Sequence, residues 1–236
     1  IERFAFTLDN YKNVLQPDGA LLEGIRNSLS LAAVAAVVGL ILGFAVAYTL
    51  TYSQFKLKRL IDMLTLVAMA VPGVVLGIGY IFVWNQKWLQ PLGLNLYGKP
   101  EILILASVAS AVPLINRVLV GGMSKVPQEL LVASQVQGAR LGKRLKTVLL
   151  PLLHSSMVSA VLAAFGGSVF NLAITTILYP PNYSTLPGYI SDSYNDLNFG
   201  YAAAATMVGG AFIIAIMLLL EFILNFGKRS RHADNT

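Results

Sequence analysis

Two histidines, no cysteine and 11 acidic residues among 236 leave this chain few groups for metal ligation or proton transfer. His154 and His232 are too far apart for a zinc cluster, and the missing cysteine excludes disulfides and thiolate sites. A carrier driven by protons or sodium places carboxylates inside the membrane to bind the driving ion. Asp62 and Glu221 instead fall near the ends of apolar runs, where solvation or pairing with a basic neighbour accounts for them. A hydrogen-bonded structural role accounts for His154, and Arg117 reads as a snorkelling anchor at the end of its run rather than a gating charge. No G-x-x-x-x-G-K-[ST] phosphate loop occurs, so the chain cannot hydrolyse a nucleotide by that route. No catalytic residue, metal ligand or bound cofactor is expected, and the remaining chemistry is that of a surface for a partner.

That surface is concentrated in one polar, basic stretch, Val126 to Pro151, VPQELLVASQVQGARLGKRLKTVLLP. It reads as two short amphipathic helices meeting at Gly138. Leu130, Ala133 and Val136 repeat at helical spacing before the glycine, and Leu141, Leu145 and Val148 repeat after it. Pro127 suits a first helical turn and Glu129 lies near that positive N-terminus. Arg140, Lys143 and Arg144 share one face, which leaves the other free to be buried. Two readings stand side by side at this point: a docking elbow, or a segment lying on lipid headgroups.

The elements that hold this elbow are apolar helices. The chain is 56% hydrophobic and 12% charged, against about 25% charged in soluble domains, so an all-α integral membrane protein is expected. Span A runs from Ser28 to Leu50, with Ala32, Ala33, Ala35, Ala36, Gly39, Gly43, Ala45 and Ala47 allowing close helix approach. Span B runs from Met63 to Trp84 and contains Pro72-Gly73, which predicts a kink or break near mid-membrane. Span C, Ile102 to Val120, is expected to break at Pro113. Span D runs from Leu152 to Val169, an irregular interfacial loop from Thr175 to Tyr189 follows, and span E runs from Tyr201 to Phe226.

The domain layout is then an external or interfacial lead-in over 1–26, with Asp18-Gly19 as a turn signal, a transmembrane domain over 27–226 and a mobile basic tail over 227–236. The loop over 121–151 projects from the transmembrane domain. Placing that loop in the cytoplasm gives the cytoplasmic side twelve of the 17 lysines and arginines, which puts the C-terminus inside. The +6 charge is thereby assigned to topology and lipid contact, and no nucleic-acid role is expected. Tyr48, Tyr80, Asn116, Ser168 and Asn171 are path candidates by polarity within apolar runs, and Pro72, Gly73 and Pro113 are hinge candidates.

The elbow resembles the cytoplasmic EAA loop of binding-protein-dependent ATP-binding-cassette importer permeases. That pattern is E-A-A, three residues, glycine, nine residues, then I-x-L-P. Here Val132-Ala133-Ser134, Gly138 and Val148-Leu149-Leu150-Pro151 keep both spacings. Val132 stands in place of the glutamate and Ser134 in place of the second alanine, with Glu129 nearby. Over most of the chain, from TLDNYKNVL through VPGVVLGIGYIF to STLPGYI and NFGYAAAA, the similarity is to the ferric-iron type, which includes fused two-half permeases. Phosphonate, polyamine, sulfate and thiamine permeases share much of the pattern. The resemblance implies a prokaryotic inner-membrane permease, a further helix ahead of Ile1, a second permease half (identical or fused), and an extracytoplasmic substrate-binding protein. It also implies a cytoplasmic ATPase dimer that carries ATP and Mg. Glu129, Val132, Ala133, Ser134, Gly138, Arg140, Leu150 and Pro151 would couple the path to that ATPase, with the helix from Pro127 to Val136 in its groove. A stand-alone secondary carrier or channel is the alternative class.

Overall fold

Helix starts are set by packing more than by charge in this bundle, as its computed structural model shows for residues 8–16, 19–181 and 183–233, with side chains described to residue 225. Helix α1 (Asp9–Val14) precedes α2 (Ala20–Tyr52). The second helix starts well before the expected Ser28 because Leu21 and Ile25 are buried against Phe165, Leu186 and Ile213. The last residues of the expected lead-in are therefore helical, and its first seven residues and Asp18 lie outside the described part.

Helices α3 (Lys58–Ala70) and α4 (Gly73–Trp84) meet at 108°, so Pro72 makes a full break. Proline has no amide to continue the ladder and drives the residue before it out of the α region, and Val71 is accordingly extended, with ψ at 125°. The expected break at Pro113 is absent. Helix α5 (Pro100–Met123) runs through that proline without interruption, because Ala106, Ala111, Ile115 and Leu119 are buried on either side of it. Only the Ala109 carbonyl loses its helical donor.

The elbow folds as α6 (Gln128–Val136) and α7 (Leu141–Arg144), the latter running through a π turn (Leu145–Leu149) into α8 (Leu150–Val169). Then come α9 (Leu172–Ile177), α10 (Leu186–Asn195) and α11 (Phe199–Ala233). The last helix extends through most of the expected mobile tail; residues 234–236 are outside the described part. Among the described residues four helical stretches, Ala20–Tyr52, Pro100–Met123, Leu141–Ile177 and Phe199–Asn225, are long and apolar enough to cross a membrane, and the bent α3–α4 pair makes a fifth if it counts as one span.

Glycines spaced four apart bring the helices together. On α2, a Cβ at Gly39 would stand 3.1 Å from Ala111 Cβ, and one at Gly43 would stand 2.7 Å from Ile115 Cγ2. On α4, a Cβ at Gly73 would stand 3.0 Å from Ala173 Cβ, and one at Gly77 would stand 2.8 Å from Ile177 Cγ2. Lipid tails are as apolar as side chains, so close backbone approach replaces the hydrophobic effect as the source of helix association. Of the small residues expected to do this on α2, Ala33 and Ala45 face outward, whereas Ala32, Ala35, Ala36, Gly39, Gly43 and Ala47 are buried.

Of the expected loop from Thr175 to Tyr189, the described residues between α9 and α10 are irregular, while its two ends are helical and Leu178, Pro180 and residues 185–188 are buried. Thr185 caps α10 by accepting from the Gly188 amide, and Leu186, Pro187 and Gly188 are buried. Two polar residues of α2 hold the segment in place: Asn27 Nδ2 donates to the Ser184 carbonyl at 2.8 Å, and Ser28 Oγ accepts from the Leu186 amide at 2.9 Å. A Cβ at Gly24 would meet the Thr185 backbone at 3.1 Å, so the helix and the loop touch main chain to main chain. Ser28→Ala leaves a buried amide unpaired and is expected to cost about 1–3 kcal/mol. A lower thermal midpoint in detergent is the readout; an unchanged midpoint would show that the amide has another partner.

Candidate functional site: an elbow, a hinge and a cavity

Gly138 has its place for a conformational reason. Its φ is +78°, a left-handed backbone that costs a side-chain-bearing residue about 1–2 kcal/mol. The turn it makes closes α6 with two hydrogen bonds, Gly138 N–H to the Gln135 carbonyl at 2.9 Å and Ala139 N–H to the Ser134 carbonyl at 3.1 Å. That paired pattern is the Schellman termination, in which glycine is the preferred residue. A Cβ there would meet nothing within 4 Å, so backbone strain alone selects the glycine.

Helix α6 turns its apolar repeat outward. Leu131 is buried, 6% exposed, whereas Leu130, Val132 and Val136 are 46%, 50% and 83% exposed. The repeat Leu130–Ala133–Val136 therefore faces away from the bundle as an apolar surface that none of the described residues covers. Glu129 lies in the first turn, exposed, and Ser134 is half-buried, its hydroxyl donating to the Leu131 carbonyl at 2.8 Å. Pro127 stands just ahead of the helix rather than in its first turn.

Beyond Gly138, Arg140 and Lys143 are exposed, as expected. Arg144 is not part of that wet face: it is half-buried, and its Nη1 donates to Gln135 Oε1 at 2.9 Å. This bond ties the two limbs together. Leu145 and Val148 pack against the core beside Leu149 and Leu153, while Leu141 is exposed. Pro151 explains the π turn before it. Its ring crowds the carbonyl one turn back and it offers no amide, so the helix widens over the preceding turn and continues unbroken into α8. Leu150 and Pro151 thus lie inside one continuous helix that joins elbow to span. At the other end Tyr52 Oη donates to the Met123 carbonyl at 2.9 Å, fixing the end of α2 to the start of the elbow.

Above the elbow a cavity of about 500 Å³ opens at the α3–α4 break. It brings together Gly73, Tyr80, Pro113 and Asn171 from the sequence candidates, adds Ser110, and takes the rest of its wall from apolar side chains. Asn171 Oδ1 accepts from the Ile174 amide at 3.2 Å and so caps α9. Pro72 forms the break beside it. Tyr48, Asn116 and Ser168 do not line the cavity: Tyr48 packs its ring 5.5 Å from that of Tyr52, Asn116 is fully buried on α5, and Ser168 is half-buried on α8.

Arg117 is an ion-pair partner rather than a snorkelling anchor. Its Nη2 lies 2.7 Å from Asp62 Oδ1 and also donates to the Asp62 carbonyl and to Thr65 Oγ1, each at 3.1 Å. The pairing expected for Asp62 is thereby found, on a residue from a different helix. His154 Nδ1 is buried without the expected hydrogen-bond partner; nothing in its surroundings accounts for this. Among the described residues, no group of three histidine or carboxylate side chains lies close enough to hold a metal ion. Thr65, Ser110 and Gln135 are not among the residues the sequence singles out. The Gly73–Gly77 spacing was a visible signal; Thr65, Ser110 and Gln135 become recognisable only through neighbours distant in sequence.

Residues 36–229 match the family described as the binding-protein-dependent transport system inner membrane component. The chain belongs to that family. This permease is 30% identical to the putative 2-aminoethylphosphonate transport system permease PhnV of Salmonella paratyphi A, over 92% of its own length and 80% of that protein's. It is 25% identical to the ferric transport system permease FbpB of Actinobacillus pleuropneumoniae, over 94% of its own length and 32% of that protein's, so it spans about a third of that ferric relative. A bacterial transporter for the polysaccharide alginate shares the fold, with a TM-score of 0.77 at 14% identity over 97% of this chain and 85% of that one. The family is one of multi-pass transport permeases, and the permease shares their all-helical membrane fold.

Proposed function

We propose that this permease forms one half of the path of an ATP-driven importer for ferric iron, and that α6 seats in a groove of a cytoplasmic ATPase. The observation that carries the coupling role is the exposed apolar row on α6 beside a glycine held at φ +78°: a correctly terminated helix presents a surface that the described residues leave uncovered. In this reading the elbow is cytoplasmic, the C-terminus is inside, a binding protein delivers cargo from the opposite side, and a second permease half completes the path. ATP and Mg reside on the ATPase.

The ferric reading is supported by the FbpB similarity, which extends over nearly all of this chain. Chemistry then restricts the form of the cargo. The cavity offers one phenol, one hydroxyl and one amide, too few hard anionic ligands to replace the hydration shell of a bare ferric ion, so iron would cross already ligated. A second reading, import of 2-aminoethylphosphonate, is supported by the higher identity to PhnV and by its comparable length. Reconstitution with the ATPase and binding protein separates them. Uptake of radiolabelled ferric citrate, with ATP hydrolysis stimulated by the loaded binding protein, is the expected outcome. Uptake of the labelled phosphonate alone would assign the second reading, and uptake that follows an ion gradient without ATP would overturn both.

A further inference from the structure

We propose that the turn between α2 and α3, together with the outer face of α3, is a binding site for a phospholipid of net negative charge.

Lys56, Lys58 and Arg59 place three cations on this turn, and the turn is ordered. Ser53 ends α2 in an extended conformation, and its Oγ accepts from the Phe55 amide at 3.1 Å. The Phe55 carbonyl then accepts from the Lys58 amide at 3.2 Å where α3 begins. Lys58 is half-buried and braces the turn, its Nζ donating to the Ser53 carbonyl at 3.4 Å. Lys56 and Arg59 are exposed, and among the described residues neither has a hydrogen-bond or ion-pair partner. Asp62, the nearest carboxylate in sequence, is already engaged by Arg117. A further exposed lysine comes to the same end of the bundle. Lys125 lies between Met123 and Val126, whose carbonyls both accept from Oη of Tyr52, the residue before Ser53.

Apolar side chains continue from these cations. Phe55 and Leu57 are exposed on the turn, and Leu60, Met63, Leu64 and Val67 are exposed beyond it. The last four share one face of α3 at i, i+3, i+4 and i+7, and Arg59 stands one turn ahead of Met63. Asp62 and Thr65 point the other way, to Arg117 of α5. The apolar face is about 10 Å long. It runs from charge to hydrocarbon in the order of a phospholipid, with the phosphate at the basic turn and an acyl chain along the helix.

Lipid fits this surface better than a soluble anion or a protein does. Helix α3 belongs to the bent pair that is apolar enough to cross a membrane, so its uncovered face meets acyl chains, whereas a soluble phosphate would make no use of that face. Positive charge that only sets topology needs neither an ordered turn nor an apolar face in line with it. The site lies on the helix that supplies Ala68 and Met69 to the cavity wall.

The chain has no cysteine, so Met63→Cys can carry a single bimane label on the outer face of α3, and Ile214→Cys can carry one on the exposed face of α11. The permease is placed in vesicles of phosphatidylcholine and phosphatidylglycerol, with brominated acyl chains on one lipid or the other. At Met63, brominated phosphatidylglycerol should quench several-fold more strongly than brominated phosphatidylcholine at equal mole fraction. At Ile214 the two should quench alike. Lys56→Gln/Arg59→Gln removes two exposed charges that have no partner to lose, and it should abolish the preference at Met63. Equal quenching by the two lipids at Met63 overturns the site. So does the same preference at both labels, which is diffuse attraction to a basic chain, or a preference that survives the loss of Lys56 and Arg59. The comparison between the two labels keeps the native cations and decides by itself if the double variant fails to assemble.

Discussion

Gly138→Val should uncouple ATP hydrolysis from transport. Valine at φ +78° meets the left-handed penalty of about 1–2 kcal/mol, and its β-branching adds to it. Relief comes by rotating the backbone out of the left-handed region, which breaks the bonds to the Gln135 and Ser134 carbonyls and changes the angle at which α6 leaves the turn. An energy of that size corresponds to roughly a 5- to 30-fold shift in a conformational equilibrium. ATPase affinity and binding-protein-stimulated hydrolysis should fall by about that factor, while expression and helicity hold, because open space surrounds the site. Gly138→Asn should stay close to native, since asparagine tolerates this conformation. Normal coupling in the valine variant, measured as cargo moved per ATP hydrolysed, would show that the turn is not a fixed part of the lever.

Gly77→Val should collapse the cavity wall. A Cβ at this position would stand 2.8 Å from Ile177 Cγ2 and 2.9 Å from Ile177 Cβ, and the clash is with the branch point of a side chain on a packed helix, which cannot swing away. Overpacking of this kind costs about 1–3 kcal/mol. Here the strain pushes α4 from α9, the two helices that line the cavity through Gly73, Tyr80, Ala173 and Ile174. Both thermal midpoint in detergent and uptake should drop. Ile177→Ala alone should be mildly destabilising, and combined with Gly77→Val it should restore much of the loss, giving a coupling energy in the range of about 0.5–3 kcal/mol for residues in contact. If the double variant is no better than Gly77→Val, the two helices do not meet through this pair.

The same glycines illustrate what could be read early. Gly138 was legible because a polar stretch with two helical repeats needs a turn, and the spacing to Pro151 matched a known loop. A turn was thus expected there before its conformation was known. The break at Pro72 was legible for an equally local reason, the missing amide and the restriction on Val71. Pro113 has the same local chemistry and does not break its helix. The difference is tertiary: α5 is packed on both sides of its proline, while α3 has no buried residue to hold it in line. Likewise the repeat on α6 is legible as helical, but which of its faces packs on the bundle is not. Leu131 turns in and Leu130 and Val136 turn out, a choice made by how α6 sits on the bundle.

By itself the sequence determined the quantities that are local or additive. The apolar length of each span, the terminators, the side on which positive charge accumulates and the spacing of the elbow all follow from the chain's own covalent order. Only the tertiary structure decided which polar residues meet. Asp62 and Arg117 are 55 residues apart, and Ser28 and the Leu186 amide 158 apart. No periodicity in the sequence encodes such pairings. They arise because close glycine contacts fix the helices in one register, and that register leaves each buried polar group few positions where a partner can be reached.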